Sequence, residues 1–246
     1  MPQLNKIATG FEVYDNEFGG LEKGQLILVE GRPCTGKASF ALSLVDNLCN
    51  NNEGTCLYFS VESNPKKLFQ KILKMHCGFK SLDQISVDEW NDVAKEGRKL
   101  SEYNLIIEGF EVTVEKILSK SIEVASKKKI SAIVVDGVSF MADSRGRRVL
   151  SVYPILQKLK ELAVVLKCPV IAYTSLSRFR EKNDENGSEI KDLYNYSDSF
   201  KTVDEVIFLY HEQHIDDDNY DKGKIEVGTM NYIIGKGCTF EMDFAY

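Results

Sequence analysis

The sequence lacks any run of eighteen apolar residues, which excludes a membrane-spanning helix of the usual length. Its first residues, MPQLNKIATGF, show neither the apolar core nor the cleavage site of a secretory leader, so the expected location is the cytoplasm. The six cysteines, at 34, 49, 56, 77, 168 and 238, form no CxxC pair and no metal-ligand spacing. They are expected to be reduced, mostly buried small hydrophobes. Histidine is scarce as well, and His211 and His214, three residues apart after a strand, make no metal cluster. No internal repeat or low-complexity tract is visible. Positive charge is not in excess either: a net charge of −6 argues against a basic coat protein for nucleic acid. It leaves open binding through a few local basic loops, because the relevant field is local.

What is present is an alternation of strands and helices. With 246 residues, the chain fits one large α/β domain, residues 1–246, with a substantial core. Strand-like apolar runs fall at Gln25–Glu30, Thr55–Val61, Leu105–Glu108, Ala132–Asp136, Pro169–Thr174 and Glu205–Tyr210. Amphipathic helical patterns lie between most of them, at Lys37–Asn50, Pro65–His76, Ser86–Ser101, Thr113–Lys127 and Val152–Leu166. This order predicts right-handed crossovers, a mostly parallel twisted sheet with helices on both faces, and ligands at the carboxyl ends of the strands. LILVEG and AIVVD are nearly continuous in apolar character, as central strands covered on both faces should be. The last forty residues differ: Asp216–Lys222 reads as a solvated acidic turn. Val227–Gly235 and Thr239–Phe244 read as a terminal hairpin joined at Gly235–Cys238. Asp143–Arg148 and Arg180–Glu189, rich in Gly, Ser, Asn or charge, read as mobile loops.

Gly31-Arg32-Pro33-Cys34-Thr35-Gly36-Lys37 matches the phosphate-loop pattern GxxxxGK, between the strand LILVE and the helix ASFALSLVDNL. Glycines let the backbone curl so that successive N–H groups face phosphate oxygens, and the helix N-terminus adds positive potential. Lys37 would set its ammonium against the β- and γ-phosphates of ATP. The plain alternative is a Gly-containing turn before a helix. Ala38 stands where the pattern calls for a Ser or Thr to hold Mg²⁺, which weakens metal binding. Ser39 does not replace it directly, since one step along a helix turns a side chain by about 100°.

Two carboxylates complete the candidate site. Asp136 ends the run Ile133-Val134-Val135, where it would hold a Mg²⁺-bound water, or merely cap a turn. Glu62 ends the strand Leu57-Tyr58-Phe59-Ser60-Val61, where a carboxylate can polarise an attacking water, or is simply an exposed strand-end acid. Arg145, Arg147, Arg148, Arg178, Arg180 and Lys182 lie in loops after strands and are candidates for single-stranded DNA backbone, or a solvated charged surface. Lys127-Lys128-Lys129 at a helix end is read as structural, its cations favouring the helix dipole.

Thr9-Gly10-Phe11, Asp15, Gly19-Gly20-Leu21, Gly24, Gly31-Arg32-Pro33, Gly36-Lys37 and Phe40-Ala41-Leu42 together resemble the entry to the motor domain of DnaB-type replicative DNA helicases. FSVES is similar to that family's strand carrying the catalytic glutamate, with Glu62 in place. VVDGVSFM resembles its second acidic motif, with Asp136 in place, and KLKELAVVLKCPVIAYTSLSR and IKDLYNYSDSFKTVDEVIFLYH resemble its later segments. The resemblance implies a RecA-like fold, ATP with Mg²⁺ at subunit interfaces, a homo-hexameric ring and single-stranded DNA through its centre. The family's N-terminal helical domain has no counterpart in this sequence. There are departures. Ser139 and Ser175 stand where the family has Gln, and Tyr194-Asn195-Tyr196-Ser197 stands where it carries a DNA-touching stretch. Gly235-Lys236-Gly237-Cys238 keeps Lys236 of a trans-acting Lys and Arg pair that reaches a neighbour's γ-phosphate, but has no Arg. Losing an arginine finger costs about 10³–10⁵ in phosphoryl-transfer rate. Three readings stay open: a helicase motor with impaired hydrolysis, a non-enzymatic nucleotide-binding or scaffold paralogue, and another RecA-superfamily regulatory ATPase.

Overall fold

The structure, a computed structural model, describes residues 6–32, 35–51, 54–78, 86–141, 151–175, 202–210, 224–231 and 235–243. The chain opens with β1 (Lys6–Ile7), α1 (Glu12–Phe18) and β2 (Leu21–Glu22), the two strands pairing antiparallel. It then alternates β3 (Leu26–Gly31), α2 (Lys37–Asn51), β4 (Thr55–Ser60), α3 (Pro65–Cys77), α4 (Val87–Ser101) and β5 (Leu105–Gly109). There follow α5 (Val114–Ala125), β6 (Ile130–Asp136), a 3-10 turn over Val138–Phe140, α6 (Tyr153–Leu166), β7 (Val170–Ser175), β8 (Glu205–Tyr210), β9 (Lys224–Asn231) and β10 (Lys236–Asp243).

Local chemistry sets several of these boundaries. Asn64 caps α3 by accepting from Lys67 N at 2.8 Å, and Pro65 occupies the first helical position, where a missing N–H costs nothing. Ser86 and Glu89 form a reciprocal capping box at the start of α4. His76 on α3 bridges Asp46 of α2 at 2.7 Å and Glu96 of α4 at 3.1 Å, while Tyr103 donates to the same Asp46 at 2.8 Å. One imidazole thus ties three helices together.

The large sheet has the order β10-β9-β8-β3-β7-β6-β4-β5. Its strands from β8 to β5 pair parallel, and β9 and β10 close one edge antiparallel, so the expected mostly parallel sheet is present. Side chains alternate between two cores. One face buries Ile27, Val29, Tyr58, Val134 and Tyr173 under α1 to α4; the other buries Leu28, Phe59, Val135 and Ala172 under α5 and α6. No helix among the described residues is long and apolar enough to cross a membrane.

The six expected strands and five expected helices agree with the structure to within a few residues. The terminal hairpin differs. Its strands are Lys224–Asn231 and Lys236–Asp243, with Cys238 opposite Thr229, so Gly237 and Cys238 lie inside β10 rather than in the connecting turn. Pairing with β8 sets this register: Glu205 lies opposite Asn231, and Tyr210 opposite Glu226. The helix α5 stops at Ala125, and Lys127 lies beyond it, paired with Glu123 at 2.8 Å. Among the described cysteines, Cys56 and Cys168 are buried but Cys49, Cys77 and Cys238 are only half-buried. Asp143–Arg148, Arg180–Glu189, Asp216–Lys222, His211 and His214 lie outside the described residues.

At the amino end of β8, Glu205 is fully buried and accepts from Gln25 Nε2 at 2.8 Å, Asn231 Nδ2 at 2.8 Å and Thr229 Oγ1 at 2.9 Å. Burial raises its pKa, and the hydrogen bonds around it oppose that rise. This polar box fastens β3, β8 and β9 together where the antiparallel edge begins. Glu205→Ala would leave three donors without an acceptor, so a loss of about 3 kcal/mol is expected from urea unfolding. A loss below about 1 kcal/mol would show that the box does not hold this edge.

Candidate nucleotide site

Strand register brings the candidate residues together. Gly31 lies opposite Ser175, and Ser60 lies opposite both Asp136 and Gly109, so the carboxyl ends of β3, β7, β6, β4 and β5 form one continuous rim. Gly31 ends β3 at that rim and Lys37 opens α2, whose first turns are anchored by the buried Phe40 and Ala41. Gly31 has to be a glycine: a Cβ there would sit 2.6 Å from Thr35 Oγ1 and 2.9 Å from the Leu209 carbonyl oxygen. Thr35 Oγ1 donates to the Arg32 carbonyl at 2.8 Å and tightens the curl. The Lys37 ammonium folds back over the loop, donating to the carbonyls of Gly31 at 2.8 Å and Arg32 at 2.5 Å. Gly36, Ala38 and Ser39 are half-buried at the helix start, whereas Arg32 is exposed. Pro33 and Cys34 lie outside the described residues.

Asp136 ends β6 on the same face of the sheet as α2. Burial raises its pKa and the neighbouring Glu62 carboxylate adds to that; a Tyr58 hydrogen bond and the charges of Lys71 and Lys37 pull it back. Tyr58 donates its hydroxyl to Asp136 Oδ2 at 3.2 Å. Glu62 is exposed at the end of β4, and the preceding Val61 N–H donates to the Asp136 carbonyl at 3.0 Å, which fixes the two acids side by side. Gly137 turns the chain away with φ of 85°, and a Cβ on it would lie 3.3 Å from Glu62 Cγ. A left-handed glycine therefore makes room for the glutamate.

The structure thus gathers Lys37, Glu62 and Asp136, and adds three residues that reading the sequence missed. Lys71 lies on α3, nine positions after Glu62, and its charge reaches Asp136. Tyr58 and Tyr173 sit in strands buried on both faces, where a phenol needs a partner for its hydroxyl; that need was the available signal. Ser139 and Ser175 also meet here, Ser175 N–H donating to Ser139 Oγ at 3.4 Å. Lys236 is not at this rim. It starts β10 at the opposite end of the sheet and pairs with Glu17 of α1 at 2.6 Å. Arg145, Arg147, Arg148, Arg178, Arg180 and Lys182 lie outside the described residues, as does Tyr194-Asn195-Tyr196-Ser197.

Among the described residues no group of three or more His, Cys, Asp and Glu side chains is arranged to hold a metal alone. Mg²⁺ commonly keeps several waters and uses one or two carboxylates plus substrate phosphates. A single carboxylate, Asp136, facing a phosphate loop fits that mode of binding.

Residues 6–244 match the family described as the DnaB-like helicase C terminal domain. The chain is 29% identical over 244 residues to the replicative DNA helicase DnaB of Haemophilus influenzae, covering 94% of this chain and 50% of that protein. It is 25% identical over 236 residues to the DnaB of Geobacillus stearothermophilus, covering 92% and 51%. The chain therefore spans about half the length of these curated relatives. Its fold superposes on a solved ATPase domain with a TM-score of 0.83 at 20% identity, over 98% of this chain and 88% of that one. A DnaB-like replicative helicase studied for its interactions with primase gives the same TM-score of 0.83 at 21% identity, over 97% and 59%. The fold is RecA-like.

Folding favours the protonated form of Asp136, because its pKa is raised above 3.8. The resulting penalty is absent below pH 3.8, where folded and unfolded chains are both protonated, grows as pH rises from 3.8 toward the folded-state pKa, and is constant above it. Asp136→Asn is therefore expected to raise the urea midpoint at pH 7, with the gap closing as pH falls toward 3.8. Equal midpoints at pH 7 would contradict this.

Proposed function

The chain belongs to the DnaB-like helicase C-terminal domain family, and on that premise we propose that residues 1–246 form one ATP-binding motor domain of a cytoplasmic replicative helicase. The observation that carries this reading is the meeting of Lys37, Asp136 and Glu62 at one rim of strand ends, beneath a helix N-terminus. Gly31 to Ser39 would cradle the phosphates through backbone N–H groups, with Lys37 leaving its loop carbonyls for the β- and γ-phosphates. Asp136 would hold a water of Mg²⁺, which, when bound, neutralises the developing phosphate charge. Glu62, exposed beside Asp136, is placed to accept a proton from an attacking water.

A ring of copies gives Lys236 a role its own chain does not. Lying at the end of the sheet opposite the phosphate loop, it would face a neighbour's site in a head-to-tail homo-hexamer. Arg145, Arg147, Arg148, Arg178, Arg180 and Lys182 would then track single-stranded DNA, largely without sequence preference. Hydrolysis is expected to be slow. Ala38 offers no hydroxyl to the metal, two serines replace the family's glutamines, and Lys236 has no arginine beside it.

The same features support a second reading, a nucleotide-binding paralogue that has stopped hydrolysing. Steady-state ATP turnover with Mg²⁺, with and without single-stranded DNA, separates the two. A motor is expected to show DNA-stimulated turnover that falls at least about a hundredfold in Glu62→Gln and in Lys37→Ala. Turnover unchanged in both variants would sink this site as the catalytic one. Nucleotide binding with no turnover would select the paralogue, and DNA-independent turnover a regulatory ATPase.

A further inference from the structure

Two buried tyrosines flank Asp136. Tyr58 on β4 and Tyr173 on β7 are each 1% exposed, and both point to the face of the sheet that Asp136 shares with α2. Tyr58 donates to Asp136 Oδ2 at 3.2 Å. Tyr173 is the register partner of Asp136 across the β6–β7 pair, and the carboxylate adds to the rise that burial causes in its pKa. Its hydroxyl is buried and has no hydrogen-bond partner among the described residues. Phe40, in the first turn of α2, packs on the Tyr173 ring with centroids 6.4 Å apart, so this phenol lies beneath the helix start that carries Ala38.

A core built only for packing would carry phenylalanine at both positions. A buried hydroxyl without a partner costs about 1–3 kcal/mol, and such groups are accounted for when a water or ion completes them. Meanwhile Ala38 presents a methyl where the phosphate-loop pattern has a hydroxyl. The helix above the site has lost an oxygen, and the sheet below it has two.

Building on the nucleotide reading above, we propose that Tyr58 and Tyr173 are positioning residues that replace the missing hydroxyl of Ala38. Tyr58 holds one oxygen of the Asp136 carboxylate, and Tyr173 holds a water that Asp136 shares with nucleotide-bound Mg²⁺. Neither phenol touches phosphate. Partners that orient a metal-binding carboxylate in this way are worth about 10–100-fold in metal affinity.

The test is equilibrium binding of ATP, by calorimetry or fluorescent-nucleotide competition, with Mg²⁺ and with EDTA. It is run on wild type, Tyr58→Phe, Tyr173→Phe and the double variant, each with and without Ala38→Ser. The readout is the ratio of the two affinities within each protein, which cancels changes in phosphate binding itself. The ratio is expected to fall about tenfold in each Phe variant and to recover when Ala38→Ser is added. A structural defect would not be repaired by a serine on the other side of the site. Phe variants that keep the wild-type ratio, or a lowered ratio that Ala38→Ser leaves low, would overturn the proposal. So would a wild type that binds ATP with no gain from Mg²⁺, while the nucleotide reading would survive. A wild type that binds no nucleotide in either condition would overturn both.

Discussion

Partial burial of the Asp136 carboxylate, half-buried at the end of a strand covered on both faces, is the constraint on which the rest of the site depends. A charge placed there is costly unless neighbours compensate it. This chain compensates it with a Tyr58 hydrogen bond and with the charges of Lys71 and Lys37, while a Val61 N–H on the Asp136 backbone carbonyl brings Glu62 alongside. The second acid works against that compensation, since Glu62 raises the Asp136 pKa further. Two carboxylates side by side are unfavourable for stability alone, and the cation and phosphate of the proposed nucleotide would offset that cost.

The two ends of the sheet solve different problems. At the carboxyl ends, loops leave a rim whose side chains are partly open and electrostatically strained. At the amino end of β8, Glu205 is sealed by Gln25, Thr229 and Asn231, and nearby Lys236 is tied to Glu17. The sealed end fixes the antiparallel edge and so the register in which β9 and β10 are held. A rigid edge of this kind is what a trans-acting side chain on β10 would need.

Much of this was legible in the sequence because strong local patterns agreed with the fold. LILVEG and AIVVD read as central strands and are central; GxxxxGK stands between a strand and a helix; Asp136 stands out at the end of β6, and Glu62 two residues past the end of β4, which the register aligns with Asp136. The two-residue strands β1 and β2 and the short α1 are not legible, since they are too brief to show a period. The terminal hairpin is misplaced by the sequence because glycines at 235 and 237 suggest a turn, whereas pairing with β8 decides the register. Tyr58, Lys71 and Tyr173 escape notice because their role is spatial. They come from β4, α3 and β7, and only the sheet order places them around one carboxylate.

The central claim is that nucleotide sits on the loop that begins at Gly31 and against the end of β6. Hydrogen–deuterium exchange of the chain with and without Mg²⁺ and a non-hydrolysable ATP analogue tests that location directly. The account predicts added protection in peptides spanning 31–41, 60–63 and 136–139, with the Glu205 end of the sheet unchanged. Binding that protects other peptides and leaves 31–41 as it was would contradict it.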